Sequence, residues 1–158
     1  MNLYAIDPGS SSGALVFWCP NCIPKLQAKN MPKTFLDILK ELQEVEQFVE
    51  DTVMENVGGT RPGNAAKGAR TFAEHVGALK MGLLAAGITH RFVGPRRWLV
   101  DLFGESYPKG GASDEVRKRK HFIYDKMQQL YPTEKFTLRQ ADAVAMMHWL
   151  RKLKGDVS

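Results

Sequence analysis

Three carboxylates far apart in the chain carry the chemistry of this sequence. Asp7 closes the apolar run NLYAID, Glu55 closes FVEDTVME, and Asp142 sits among small residues in RQADAVAMMHW. Acidic groups that a fold gathers need a cation between them. At an effective dielectric near 20, two unit charges about 4 Å apart repel by roughly 4 kcal/mol, and Mg²⁺ or Mn²⁺ reverses that cost. An Asp on so apolar a helix face is also costly to bury without a partner. The pattern predicts a metal-dependent enzyme that takes Mg²⁺ or Mn²⁺, and no organic cofactor is expected. The plainer readings are a turn cap for Asp7 and a surface glutamate for Glu55.

The turn after Asp7, GSSSG, places Gly9 and Gly13 where the backbone must bend tightly enough for a phosphate or metal to approach. The phosphate loop of the actin and sugar-kinase ATPases is a rival for the same motif. It requires a second phosphate loop and an adenosine motif in a chain about twice as long, and neither is visible.

These residues need strands and helices to hold them. Residues 2–7 and 13–18 read as two strands, and 22–30 allows a third, forming an antiparallel meander. Phe35, Ile38, Leu39, Leu42 and Val45 recur at spacings of three and four, so 34–47 is an amphipathic helix. The β-branched run that follows is a strand ending near Glu55. A Gly-, Arg- and Asn-rich loop leads to a helix over about 65–86, stopped by Gly87, and THRFV is a short strand. A helix starts at RRWLVDLF, and GESYPKGGASDE reads as a mobile loop. Ser113 caps a helix over about 114–130 that Pro132 ends, and the last helix covers about 138–153. Phe72 and Trp98 read as core residues. The order describes one α/β domain, residues 1–158.

At 158 residues and 44% hydrophobic, the chain is long enough for one full core. No run approaches a membrane span and the start lacks a signal peptide, so a cytoplasmic protein is expected. Residues 1–60 carry 4 Lys against 8 Asp and Glu, whereas 61–158 carry 18 basic against 9 acidic residues. That asymmetry suits a polyanion held by Lys and Arg beside a metal site. Its plainer reading is a solvated basic surface. Cys19 and Cys22 are too few for a disulfide framework. Their CPNC spacing fits a hairpin turn made by Pro20 and Asn21, half of a zinc site, or a redox pair.

The order I-D-P-G-x-x-x-G, E-x-V with a Gly-rich loop, G-P-x-x-W, a basic helix ending in L-Y-P, then A-D-A-V-A resembles the RuvC family of Holliday junction resolvases, particularly its phage branch. The resemblance covers nearly the whole chain. It implies an RNase H-like fold, an α/β mixed five-stranded sheet flanked by helices. It also implies a homodimer that cuts a four-way DNA junction by paired symmetric nicks, leaving 5′ phosphates. Asp7, Glu55 and Asp142 match the family's acidic positions, where two metal ions would be held. The family's fourth metal-binding side chain, Asp or His, lies three residues before the last Asp; this chain has Arg139 there, and Glu134 is the candidate substitute.

Family basic residues lie after P-x-x-W and early in the next helix, which singles out Arg97, Lys118 and Lys120, with Lys118 and Lys120 placed among the catalytic residues and Arg117 added to the DNA-binding set. Leu99 stands where relatives often carry Lys. These cations would hold the phosphate and offset transition-state charge, although VRKRKH also reads as an exposed helical face. Arg61 and Lys67 would reach into the open centre of a junction, and Arg139 joins the DNA-binding set. A smooth stretch formed by Gly77, Ala78, Gly82 and Ala85 is the candidate dimer face, unless it packs on its own sheet. The rival readings are an RNase H-like nuclease for other branched DNA or hybrids, and a branched-DNA binding protein that does not cut.

Overall fold

A computed structural model describes residues 1–9, 11–57, 66–109 and 112–157, with the backbone alone for 66 and 67. Five strands form one sheet: β1 (Leu3–Asp7), β2 (Ala14–Trp18), β3 (Leu26–Asn30), β4 (Asp51–Glu55) and β5 (His90–Val93). The order is β3-β2-β1-β4-β5. The first three pair antiparallel as a meander, while β1 with β4 and β4 with β5 are parallel. The helices are α1 (Phe35–Glu46), α2 (Ala66–Ala85), α3 (Pro95–Phe103), α4 (Ser113–Leu130) and α5 (Ala141–Leu153), the last preceded by a 3₁₀ turn at Leu138–Gln140. The expected mixed α/β sheet with its helices is observed.

Alternation along β1 sorts its side chains to two cores. Tyr4 and Ile6 face α1 and α2 with Ile38, Leu42, Leu79 and Leu83. Leu3 and Ala5 face α3, α4 and α5 with Trp98, Ile123 and Val144. Helix α5 crosses β1, β2 and β4 and is buried from Ala143 to Leu150. Such a helix needs the run of small and apolar residues that follows Asp142.

Local chemistry sets the element ends. The Thr34 hydroxyl accepts from the Asp37 amide at 3.1 Å and starts α1. Gly87, at φ 69°, ends α2 as expected. Ser113 does not cap α4: Ala112 occupies the cap without a side-chain hydrogen bond, and Ser113 is the first helical residue. Thr137 and Gln140 form a capping box, and the Gln140 amide also donates to Ala28 O at 3.3 Å and Asn30 Oδ1 at 3.2 Å. The start of α5 is thereby tied to β3.

Three further expectations change. The third strand begins at Leu26 rather than 22, because Cys19 and Cys22 close the preceding turn as a disulfide, with Cα atoms 5.3 Å apart. The turn carries Pro20 and Asn21, as the hairpin reading has it. The loop after α3 is anchored by Tyr107, which is buried in the α3–α5 core. Phe72 is half-buried and lines a surface groove with Asn56, Val57 and Lys80 instead of joining a core. Among the described residues no helix is long and apolar enough to cross a membrane.

Candidate active site

Asp7 and Glu55 are the last residues of the parallel neighbours β1 and β4. Ile6 lies opposite Met54, so the next step along each strand brings the two carboxylates level, with the strands about 4.8 Å apart. Two residues back, Ala5 and Val53 belong to the α3–α5 core, so Asp7 and Glu55 project to that face. Asp142, in the first turn of α5, stands over the same face. The fold brings all three to one end of one side of the sheet, and Asp7 and Glu55 are buried.

A cleft of about 330 Å³ opens there, lined by Glu55, Asp142, Trp98, Leu99, Tyr107 and Ile123, with Arg96, Lys109 and Arg119 among the remaining residues. The Trp98 indole donates to Glu55 Oε1 at 2.9 Å inside the protein. Asp142 Oδ2 lies 3.9 Å from Lys120 Nζ, and Oδ1 is buried without a hydrogen-bond partner. Burial pushes the Asp142 carboxyl above its ordinary range, while Lys120 and Arg119 pull it back down.

An all-carboxylate donor set suits a hard divalent cation, and the orphaned Asp142 Oδ1 is an acceptor that a cation would satisfy. The donor chemistry fits Mg²⁺ or Mn²⁺. As placed, the side chains do not enclose one: among the described residues, no three His, Cys, Asp or Glu side chains gather closely enough to hold an ion.

The basic candidates divide. Lys120 stands beside Asp142. Lys118 turns away, 64% exposed and paired with Glu115 at 2.9 Å; Arg117 pairs with Asp114 at 3.8 Å, and Arg97 with Asp101 at 2.8 Å, so none of the three lines the cleft. Arg139 is half-buried in the 3₁₀ turn, and its Nε has no hydrogen-bond partner. Arg61 and the Lys67 side chain lie outside the described residues. Glu134 accepts from Leu26 N at 3.3 Å, at the end of β3 opposite Asn30. Four residues of strand, roughly 13 Å, separate it from the Asp7 end, so it is no fourth ligand.

Sequence reasoning missed Arg96, Lys109 and Arg119, and the role of Trp98. For Arg119 the signal was present: Ile123 and Met127 are the buried face of α4, and one helical turn before Ile123 is Arg119, not Lys118. For Trp98 the signal was that a buried indole N–H needs an acceptor.

Sheet order, strand directions and helix placement define an RNase H-like α/β fold. Among solved structures, Thermus thermophilus RuvC is similar over 98% of this chain and 97% of that chain, with a TM-score of 0.61 and 20% identity. T. thermophilus RuvC in complex with a Holliday junction substrate is similar over 97% and 96%, with a TM-score of 0.63 and 16% identity. At these identities the likeness is one of fold. The chain matches no family model and no curated protein.

Proposed function

We propose that this protein is a metal-dependent endonuclease that resolves four-way DNA junctions by paired symmetric nicks leaving 5′ phosphates, in the manner of the phage-type RuvC relatives its motif order resembles. The observation that carries the reading is that β1, β4 and α5 bring Asp7, Glu55 and Asp142 to the same end and face of the sheet, with Arg96, Lys109 and Arg119 lining the cleft there and Lys120 beside Asp142. The RuvC structure solved with a Holliday junction substrate supports branched DNA as the partner.

Asp7, Glu55 and Asp142 would hold Mg²⁺, which Mn²⁺ can replace. The chemistry such an ion would supply when bound is activation of a water and charge stabilisation at the leaving oxygen. The chain's own residues do the rest. Arg119 and Lys120 sit where a scissile phosphate would face Asp142 and offset its charge. Trp98 fixes one oxygen of Glu55, and Leu99, Tyr107 and Ile123 give the cleft an apolar wall that limits water. No nucleophilic side chain is required.

Two symmetric cuts need two sites related by a twofold axis, so the working form is a homodimer. On α2, Leu79, Gly82 and Leu83 turn inward, with Gly82 against Leu42, whereas Gly77, Met81, Leu84 and Ala85 are exposed. This outward face is the dimer candidate.

The test is cleavage of a synthetic junction beside duplex, flap and hybrid substrates, with Mg²⁺ and with EDTA, for the wild type and Asp7→Asn. Paired junction nicks lost in EDTA and in the variant are expected. Preferential cutting of another substrate would keep the metal chemistry and discard the junction. Arg139, at the place of a family metal ligand, favours one second reading, junction binding without cutting; binding with no metal-dependent product would establish it.

A further inference from the structure

Trp98 is buried to 2% exposure, yet its ring lines the cleft beside Glu55 and Asp142. Its N–H points at a carboxylate rather than at a backbone carbonyl, 2.9 Å from Glu55 Oε1. A neutral donor has a property that Lys or Arg lacks. It fixes the orientation of the carboxylate while leaving the full negative charge available to a cation.

Helix α3 makes this contact possible. Gly94 caps it and Pro95 occupies the first helical position, immediately after β5 runs parallel to β4. The first turn of α3 therefore starts beside the end of β4, and its fourth residue, Trp98, reaches back to Glu55. Position 98 closes the P-x-x-W motif, and its sequence reading was that of a core residue.

We propose that Trp98 is a positioning residue for the metal site, holding Glu55 through its indole N–H in the orientation that meets a divalent cation. This rests on the proposed function, since it takes Glu55 as a metal ligand. It makes Trp98 more than packing, because the same ring without its N–H would fill the core and lose the effect.

The experiment is Mn²⁺ titration of the full chain followed by electron paramagnetic resonance of free Mn²⁺. It compares the wild type, Trp98→Phe, and a chain with β-(3-benzothienyl)alanine at 98, which keeps the ring shape and lacks the N–H. Both altered chains should bind Mn²⁺ about 10-fold more weakly or worse, the scale of losing a partner that orients a metal ligand. Tryptophan emission quenched by Mn²⁺ in the wild type should be quenched less in Trp98→Phe. If Trp98→Phe does not fold, the benzothienyl chain carries the test. Wild-type Mn²⁺ affinity in a folded chain without the N–H would overturn the positioning role and leave the nuclease reading standing. A wild type that binds no Mn²⁺ would overturn both.

Discussion

Lowering the pH should destabilise this protein through the buried ring of His148. His148 lies in α5 with 7% exposure, and its Nδ1 is 2.8 Å from the Tyr131 hydroxyl, which also receives the Arg151 guanidinium at 3.0 Å. Arg151 can only donate to the tyrosine oxygen, so the tyrosine O–H is left to donate to Nδ1, a bond that the neutral ring with an unprotonated Nδ1 accepts. Burial first, then repulsion from Arg151 and Lys152, lowers the His148 pKa from 6.5 to about 4. Between those values the unfolded chain takes up a proton that the folded one refuses. Stability is therefore fully present above about pH 6.5, falls as pH drops towards 4, and stops falling on this account below that.

The gap of roughly 2.5 pH units corresponds to about 3 kcal/mol, which partial solvation of the ring reduces to about 2 kcal/mol. Urea unfolding from pH 7.5 to 4.5 should show the loss. His148→Asn, which retains an acceptor near Tyr131, should be less stable at neutral pH but should lose less on acidification. Burial also lowers the His75 pKa, so the difference between the two chains isolates His148. The reasoning fails if the His148 ring protons titrate near 6.5 by NMR, or if the variant keeps the wild-type pH slope.

Two further outcomes follow from the geometry. A Cβ on Gly13 would lie 2.4 Å from Asp7 O and 2.6 Å from both Gly9 N and O, all backbone atoms. Gly13→Ala should cost about 3 kcal/mol by urea midpoint, whereas Gly77→Ala, with nothing within 4 Å, should stabilise α2 by about 0.5–1 kcal/mol. For DNA, Arg119→Ala should weaken junction binding and reduce the salt slope by about 1, while Lys118→Ala should change little, as fluorescence anisotropy against salt concentration would measure. Equal effects of the two substitutions would refute the assignment of α4's inner face.

The sequence revealed what depends on periodicity and hid what depends on direction. The apolar run NLYAID and the three-four spacing from Phe35 to Val45 were enough for β1 and α1, and the small residues after Asp142 marked the buried α5. The RKRK run was misread, because one step along a helix turns a side chain by about 100°, and only its spacing from the buried Ile123 and Met127 singles out Arg119 as the cation that turns inward. Glu134 looked near Asp142 in sequence, but strand register places it at the other end of the sheet. The Glu55–Trp98 hydrogen bond joins residues 43 apart and needs the parallel β4–β5 pair to exist first. Ser113 had the right chemistry for a cap, but the helix begins one residue earlier than its spacing suggested.

Two of the site's carboxylates ride on central strands and the third on a helix buried along nearly its whole length, whereas Arg96, Lys109 and Arg119 reach the cleft from α3, α4 and the segment between them. The floor and the rim are thus held by different parts of the fold. Under the proposed function, substitutions among the rim cations would retune which nucleic-acid shapes are gripped without disturbing the floor, so substrate preference could drift over evolutionary time while the cutting chemistry stayed put.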